Sequence, residues 1–408
     1  MTTLLGSVSG GRGGDNAAVG PDQLDLNYVR GDFWADDPHA ALAWLREHDP
    51  VHWNEPAGVW GITKYDDVRE ISRRPEVWSS VGGIRPDSGP TGMMIEQDDP
   101  IHRQRRQLVS KGFTPLQIRR QEDKVRSIVD RLLDQVVARG QCDFVADVAA
   151  WLPLVMIGDA LGFEEADHPT LLKWSDDLMR GLGQDDPDKL AAMMAAFEGY
   201  TTYMADVIAD RRAHPADDLT SILVHAEVDG ESFDDATLVH ETLLILIGGD
   251  ETTRHVITGG LYQLLSDRRH WDALLADRSL LPGAVEEMLR WVSPIKNMAR
   301  TATRDVELRG RRIRERQKVL LLYPSANRDE EQFPDPFTFD IRRSPNEHVA
   351  FGFGTHFCLG NSLARLELRV LFEQLLERLP GIHLVDRDEP EYRPANFVSG
   401  YETMKVAW

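Results

Sequence analysis

At 408 residues, with 42% hydrophobic and 28% charged residues, the chain has the make-up of a globular protein with a sizeable core, long enough for two or three average domains. A net charge of −21 excludes general nucleic-acid affinity, which would need a basic stripe. Cys142 and Cys358 are too few for a disulfide framework and show no Cys-x-x-Cys spacing, no apolar run is long enough to cross a bilayer, and the N-terminus is not a signal peptide, so a cytoplasmic protein is expected.

Residues 1–22, rich in Gly, Ser and Ala, read as a disordered tail ahead of one unit over 23–408. A short helix is predicted after Asp37-Pro38, with Ala41, Leu42, Trp44 and Leu45 on its apolar side. Val51–Asn54, the turn Glu55–Gly58 and a strand from Val59 follow, then a helix from Tyr65 to about Val77. Residues 81–99 form a Gly/Pro-punctuated loop with the apolar patch Met93-Met94-Ile95; a loop of this length in a compact enzyme is more often functional than idle. Asp99-Pro100 starts the next helix, where His102 and Arg106 share a face and aim two donors in one direction, as a buried anion requires. Residues 115–140 and 151–212 read as helical core segments.

The longest helical pattern runs from Asp235 to about Ser266 and contains Gly248-Gly-Asp-Glu-Thr-Thr253. Each glycine there costs about 1 kcal/mol against alanine, and such a breach of local rules in a buried helix often marks a functional site. A helical Thr252 can bond the Gly248 carbonyl and open the helix; Glu251 and Thr252 together supply an acid and a hydroxyl, the parts of a proton relay. Glu287 and Arg290, three apart among Met288, Leu289 and Trp291, predict a buried ion pair. Arg300 is placed at the start of a strand pairing with Val306–Leu308.

The stretch Phe351-Gly-Phe-Gly-Thr-His-Phe-Cys-Leu-Gly360 precedes a helix with two apolar stripes: Leu359, Leu363, Leu366 and Val370, and Leu368, Leu371, Leu375 and Leu379. Backbone N–H groups at that helix start favour an ionised Cys358 sulfur, and the glycines let the chain wrap it closely, which suits a metal ligand better than a nucleophile.

The loop resembles the haem-ligand loop of the cytochrome P450 family, Phe-Gly-x-Gly-x-His-x-Cys-x-Gly, at every fixed position. The resemblance spans about residues 35–408 and implies the family's mainly α fold with a small β region and a single haem-binding domain. It implies haem b, with Cys358 as the iron ligand, Phe351 and Gly352 beside it, and His102, Arg106, Arg300 and His356 reaching the propionates. It assigns oxygen activation to Thr252 and proton delivery to Glu251. Glu287 and Arg290 match its Glu-x-x-Arg pair, and Arg328 is the candidate third member because Thr338 occupies the alternative arginine position.

The activity implied is a monooxygenase using O2 and two electrons. The chain has no flavin or iron–sulfur segment, so NAD(P)H would act through a ferredoxin and a ferredoxin reductase. Arg103, Arg105 and Arg365 are candidates for the dock. Gly82–Asp87, Gly248–His255, Pro294–Met298 and Arg393–Gly400 look like the actinobacterial steroid monooxygenases that oxidise the terminal side-chain methyl of cholesterol and cholest-4-en-3-one. That likeness brings the substrate in along Ile84, Met93, Met94, Gly248, Ile295, Phe397 and Val398. A monomer is expected. Another bulky terpenoid or a fatty acid, a peroxide-driven peroxygenase and a non-catalytic haem protein remain as alternatives.

Overall fold

The computed structural model describes residues 24–408 apart from 88, 229 and 387–388, so the tail expected over 1–22 lies outside the described residues. The predicted helices form at His39–His48, Tyr65–Arg73, Ile101–Ser110, Asp235–Ser266 and Asn361–Arg378. The second stops four residues short of Val77 because Arg74 precedes Pro75, and the proline ring drives its neighbour out of the helical region; Arg74 has φ −120° and ψ 63°. The 151–212 stretch divides into Trp151–Leu161, His168–Gly181 and Pro187–Ala213. Gly162, at φ 79°, ends the first of these, and Asp186-Pro187 caps and opens the third.

The main sheet orders its strands as Val51–Asn54, Val59–Ile62, Lys318–Leu322, Asn297–Ala302 and Trp78–Ser79. Its centre, Lys318–Leu322, runs parallel to Val59–Ile62 and antiparallel to Asn297–Ala302. Four consecutive apolar residues, Val319 to Leu322, are buried there, as a strand covered on both faces demands. Arg300 is in the middle of its strand, opposite Val319, whereas Val306–Leu308 pairs with Arg311–Ile313. This corrects the expected pairing. The Arg309-Gly310 turn, with both residues at positive φ, closes a local hairpin and leaves Arg300 to the central sheet.

The 32-residue helix Asp235–Ser266 is the axis of the molecule. The Asp234 side chain caps it, accepting from Thr237 N at 2.8 Å. Ile257, Leu261 and Leu264 are fully buried, each worth about 2 kcal/mol in area removed from water. The helix packs on Trp151–Leu161, Leu281–Val292 and Asn361–Arg378. Close approach explains three of its glycines: a Cβ at Gly249 would stand 2.6 Å from Ile157, and one at Gly259 or Gly260 would stand 2.7 Å from Val292 or Met288. Gly248 has no such neighbour. Its side of the helix faces a cavity.

Candidate active site

That cavity encloses about 1980 Å³, its mouth included, between the long helix, the cysteine loop, the 84–96 loop and the C-terminal segment. Cys358 and Gly360 lie on one wall and Gly248, Thr252 and Val256 on another. The Thr252 hydroxyl donates to the Gly248 carbonyl at 3.0 Å, as its spacing predicts.

The cysteine loop is shaped by its backbone. Gly352 and Gly354 have φ of 68° and 71°, and a Cβ on Gly354 would collide with the Ser72 carbonyl. Gly360 has an ordinary φ of −82° and open space around it, so its value is a bare surface on the cavity and no special conformation. Cys358 N donates to the Phe351 carbonyl at 2.9 Å. Burial pushes the Cys358 thiol up, opposed by the N–H groups of Gly360 and Asn361 and by Arg106 and Arg365. Those donors and cations favour a sulfur anion but do not outweigh burial, and a metal cation bound at the sulfur would tip the balance to the anion. Among the described residues no cluster of three or more His, Cys, Asp or Glu could hold a bare ion, so a metal here must bring most of its ligands with it.

The remaining polar groups on this wall have the opposite deficiency. His102, Arg106, Arg300 and His356 all line the cavity. Arg106 donates to the Phe357 carbonyl and Arg300 to Ala299 O at 2.7 Å; neither has a carboxylate partner among the described residues. The His102 and His356 rings are 4.1 Å apart, and Nδ1 of each is buried without a hydrogen bond, although Asp99 is 3.5 Å from His102. Burial, with Arg300 and His102 nearby, pushes His356 down to about 2. Four basic side chains around an apolar slot fit a flat apolar ring carrying carboxylates, with its metal towards the sulfur. Haem has that chemistry.

All seven residues expected to meet substrate line the cavity: Ile84, Met93, Met94, Gly248, Ile295, Phe397 and Val398. Phe351 and Gly352 line it too. Sequence reading missed Leu244 and Val256, although Leu244, Gly248, Thr252 and Val256 repeat at four-residue spacing on one helix face. It also missed Tyr323, Met298 and Glu367, for which no local pattern exists. Glu367 is buried on the cysteine helix with Oε2 unpartnered, and burial holds its carboxyl well above the ordinary range.

Glu251 is not on the cavity wall. Its carboxylate, fully buried, accepts from Arg254 and Arg393 at 2.8 Å each, with His255 at 3.4 Å. Burial alone would raise this acid, but the two guanidiniums hold it well below the ordinary range. The adjacent Asp250 takes the other outcome: burial pushes it up to about 7, despite Arg254.

Arg328 is not the third member of the Glu287 cluster. Glu287 receives Arg290 through two 2.8 Å bonds, with Arg343 at 3.2 Å, Asn346 Nδ2 at 3.1 Å and Asp340 N at 2.8 Å. Arg328 instead covers the Trp291 ring at 4.5 Å and donates to the Trp291 carbonyl at 2.9 Å, drawn to the negative end of helix Leu281–Val292. Of the three arginines suggested for a dock, Arg103 is exposed. Arg105 pairs with Glu241 at 3.0 Å and Arg365 with Glu286 at 2.7 Å.

Comparison with known proteins agrees with this geometry. The cytochrome P450 family profile matches residues 61–401. A steroid C26-monooxygenase of Mycolicibacterium smegmatis is 51% identical, with 94% of this chain and 96% of the relative covered. A methyl-branched lipid omega-hydroxylase of Mycobacterium tuberculosis is 40% identical over 92% of this chain and 93% of its own. A Mycobacterium marinum cytochrome P450 solved in complex with pseudoionone superposes with a TM-score of 0.88 at 35% identity, covering 96% of this chain and 100% of that one. The basic slot, the cysteine on its wall and the Thr252–Gly248 bond thus have one explanation: the chain belongs to the cytochrome P450 family and is a haem-iron monooxygenase.

Proposed function

We propose that the protein hydroxylates the terminal side-chain methyl of a sterol such as cholest-4-en-3-one, and can carry the alcohol on towards the acid. The observation behind this reading is the apolar lane from Ile84, Met93 and Met94 past Ile295, Phe397 and Val398 to Thr252, in a chain half identical to a steroid C26-monooxygenase. A sterol needs an apolar cavity to bury its rings, and a cavity wall that also carries Thr252 would hold the side-chain end near the reacting group.

Cys358 would hold the iron of haem b, His102, Arg106, Arg300 and His356 its propionates, and Phe351 and Gly352 the face beside the sulfur. When bound, haem lets O2 and two electrons put one oxygen atom into a C–H bond while the other leaves as water. Thr252, fixed by the Gly248 carbonyl, holds its oxygen towards the cavity, where it can accept and pass protons. Glu251 is the acid that replenishes them through solvent. The two electrons come from NAD(P)H through a ferredoxin and its reductase. The protein acts as a monomer in the cytoplasm; no helix among the described residues is long and apolar enough to cross a membrane.

The test is titration with cholest-4-en-3-one, followed by mass spectrometry of the product. The expected result is a rise in the high-spin fraction and a terminally hydroxylated sterol. A flat titration with the sterol but a response to a methyl-branched fatty acid would replace the substrate.

A further inference from the structure

We infer that Arg393 is a positioning residue that ties the Glu251 carboxylate to the part of the protein on which substrate rests. The inference rests on the monooxygenase reading above and adds a coupling to it.

Glu251 has two carboxylate oxygens, and each is taken by a different arginine. Oε1 accepts from Arg254, three residues on in the same helix, and Oε2 from Arg393, which arrives from the C-terminal segment. The Arg254 bond moves with the long helix. The Arg393 bond depends on a turn that is itself a cavity wall. Arg393 N donates to Gly400 O at 2.9 Å, Tyr392 bridges Tyr401, and the tip between them carries Phe397 and Val398. The tip is fastened to the cavity floor by Lys296 N to Phe397 O at 2.8 Å and by the Ile295–Val398 bridge. A displacement of Phe397 or Val398 by a bound side chain is therefore carried through a closed hydrogen-bonded turn to the Arg393 guanidinium.

That guanidinium also has somewhere else to go. It contacts Glu402, and Asp176 on helix His168–Gly181 at 3.5 Å; Arg180 contacts both of these acids and Arg254 contacts Asp176. The cluster holds four carboxylates, Asp176, Asp250, Glu251 and Glu402, against three guanidiniums, Arg180, Arg254 and Arg393. His255 Nε2 faces Glu251, Ser175 faces both Asp250 and Glu251, and buried Glu367 adds its field to Asp250. With one acid in surplus, Arg393 can shift its weight from Glu251 towards Glu402 without leaving a cation unpaired. Glu251 then loses one of the two guanidiniums that keep it ionised. A substrate long enough to press on Phe397 and Val398 would in this way admit its own protons, while a short one would leave the acid clamped.

The test compares wild type with Arg393→Met, Arg393→Lys and Arg393→Met/Glu251→Gln. The first readout is the infrared carboxylic-acid band of the haem-loaded protein, titrated from about pH 4 to about pH 9. Arg393→Met should gain a second titrating band, beyond that of Asp250, which wild type lacks and the double variant loses, with Arg393→Lys intermediate. The second is the product formed per NAD(P)H with cholest-4-en-3-one. It is compared with that of a sterol whose side chain is too short to press on Phe397 and Val398: wild type should favour the long substrate, Arg393→Met should lose that preference because its Glu251 is already released, and Arg393→Lys should restore it, with the high-spin shift retained in both. An unmoved band, or a substrate preference unchanged from wild type, would overturn the inference. Should Arg393→Met fail to fold, an Arg393→Lys band that does not move overturns it equally. A wild type that ignores the sterol would remove the substrate reading, while the infrared titration still decides the role of Arg393.

Discussion

Cys358 and Thr252 both line the cavity, and each has a substitution that isolates its chemistry. Cys358→Ser keeps the volume and removes the soft thiolate, so the ferrous CO complex should lose the absorbance characteristic of sulfur ligation; an unchanged spectrum would mean another group binds the metal. Thr252→Ala removes the hydroxyl bonded to Gly248 O but leaves the Gly248 and Gly249 backbone in place. Electron uptake should continue while peroxide release rises and product falls; a variant that stays tightly coupled would exclude this hydroxyl from proton transfer. Glu287 is a different case. Its charge meets Arg290, Arg343, Asn346 and a backbone N–H, with no exposure of Glu287 or Arg290. Removing a partner from a buried ionic cluster costs about 3–5 kcal/mol, so Glu287→Ala is expected to prevent haem incorporation by unfolding the protein, and should register as loss of cooperative melting.

The glycines of the long helix separate two roles that the sequence presents as one. Gly249 gives room to Ile157, and a methyl there meets it at 2.6 Å; Gly248 meets nothing and opens on the cavity. Gly249→Ala should therefore lose about 1–3 kcal/mol through overpacking. Gly248→Ala should gain up to about 1 kcal/mol in helix propensity while weakening the high-spin response to sterol. Melting curves of the two variants moving in the same direction would contradict this division. The same helix shows what was legible beforehand. Its ends, its Thr252–Gly248 bond and the cavity position of Thr252 all follow from spacing within one element. The destination of Glu251 does not, because Arg393 lies 142 residues away. For the same reason Arg343 was overlooked at Glu287, since only the folded loop before the cysteine brings it there, whereas Arg328 looked closer by motif. Strand partners failed likewise at Arg300: a short hairpin after Thr303 competes with pairing to Lys318–Leu322, and the sequence does not rank the two.

For the molecule as a whole, the response of stability to pH depends on a few partly or fully buried groups more than on the surplus of 21 negative charges. Glu286 is a carboxylate that burial would raise, yet Arg365 and His348 hold it down at about 2. Its unfolded counterpart titrates in the ordinary range, so as pH falls below about 4 the unfolded chain takes up a proton that the native one refuses. Its contribution is complete above that range and disappears as pH drops towards 2, amounting to roughly 2 kcal/mol once solvent at its exposed edge is allowed for. Lys296 works at the other end. Burial, helped by Arg328, pushes its ammonium down to about 7, while Tyr392 and the Ser293 carbonyl take its hydrogen bonds. From about pH 7 up to the ordinary lysine range the unfolded chain keeps a proton that the native protein has released, so stability rises with pH there and the cost of charging Lys296 is greatest below 7. Lys296→Met should consequently raise Tm at pH 6 to 7 and flatten the alkaline rise, at the loss of two hydrogen bonds, whereas Glu286→Gln should flatten only the acid limb. Tm measured against pH for the two variants distinguishes them, and a Lys296→Met curve parallel to wild type above pH 7 would show that this lysine is charged in the folded protein.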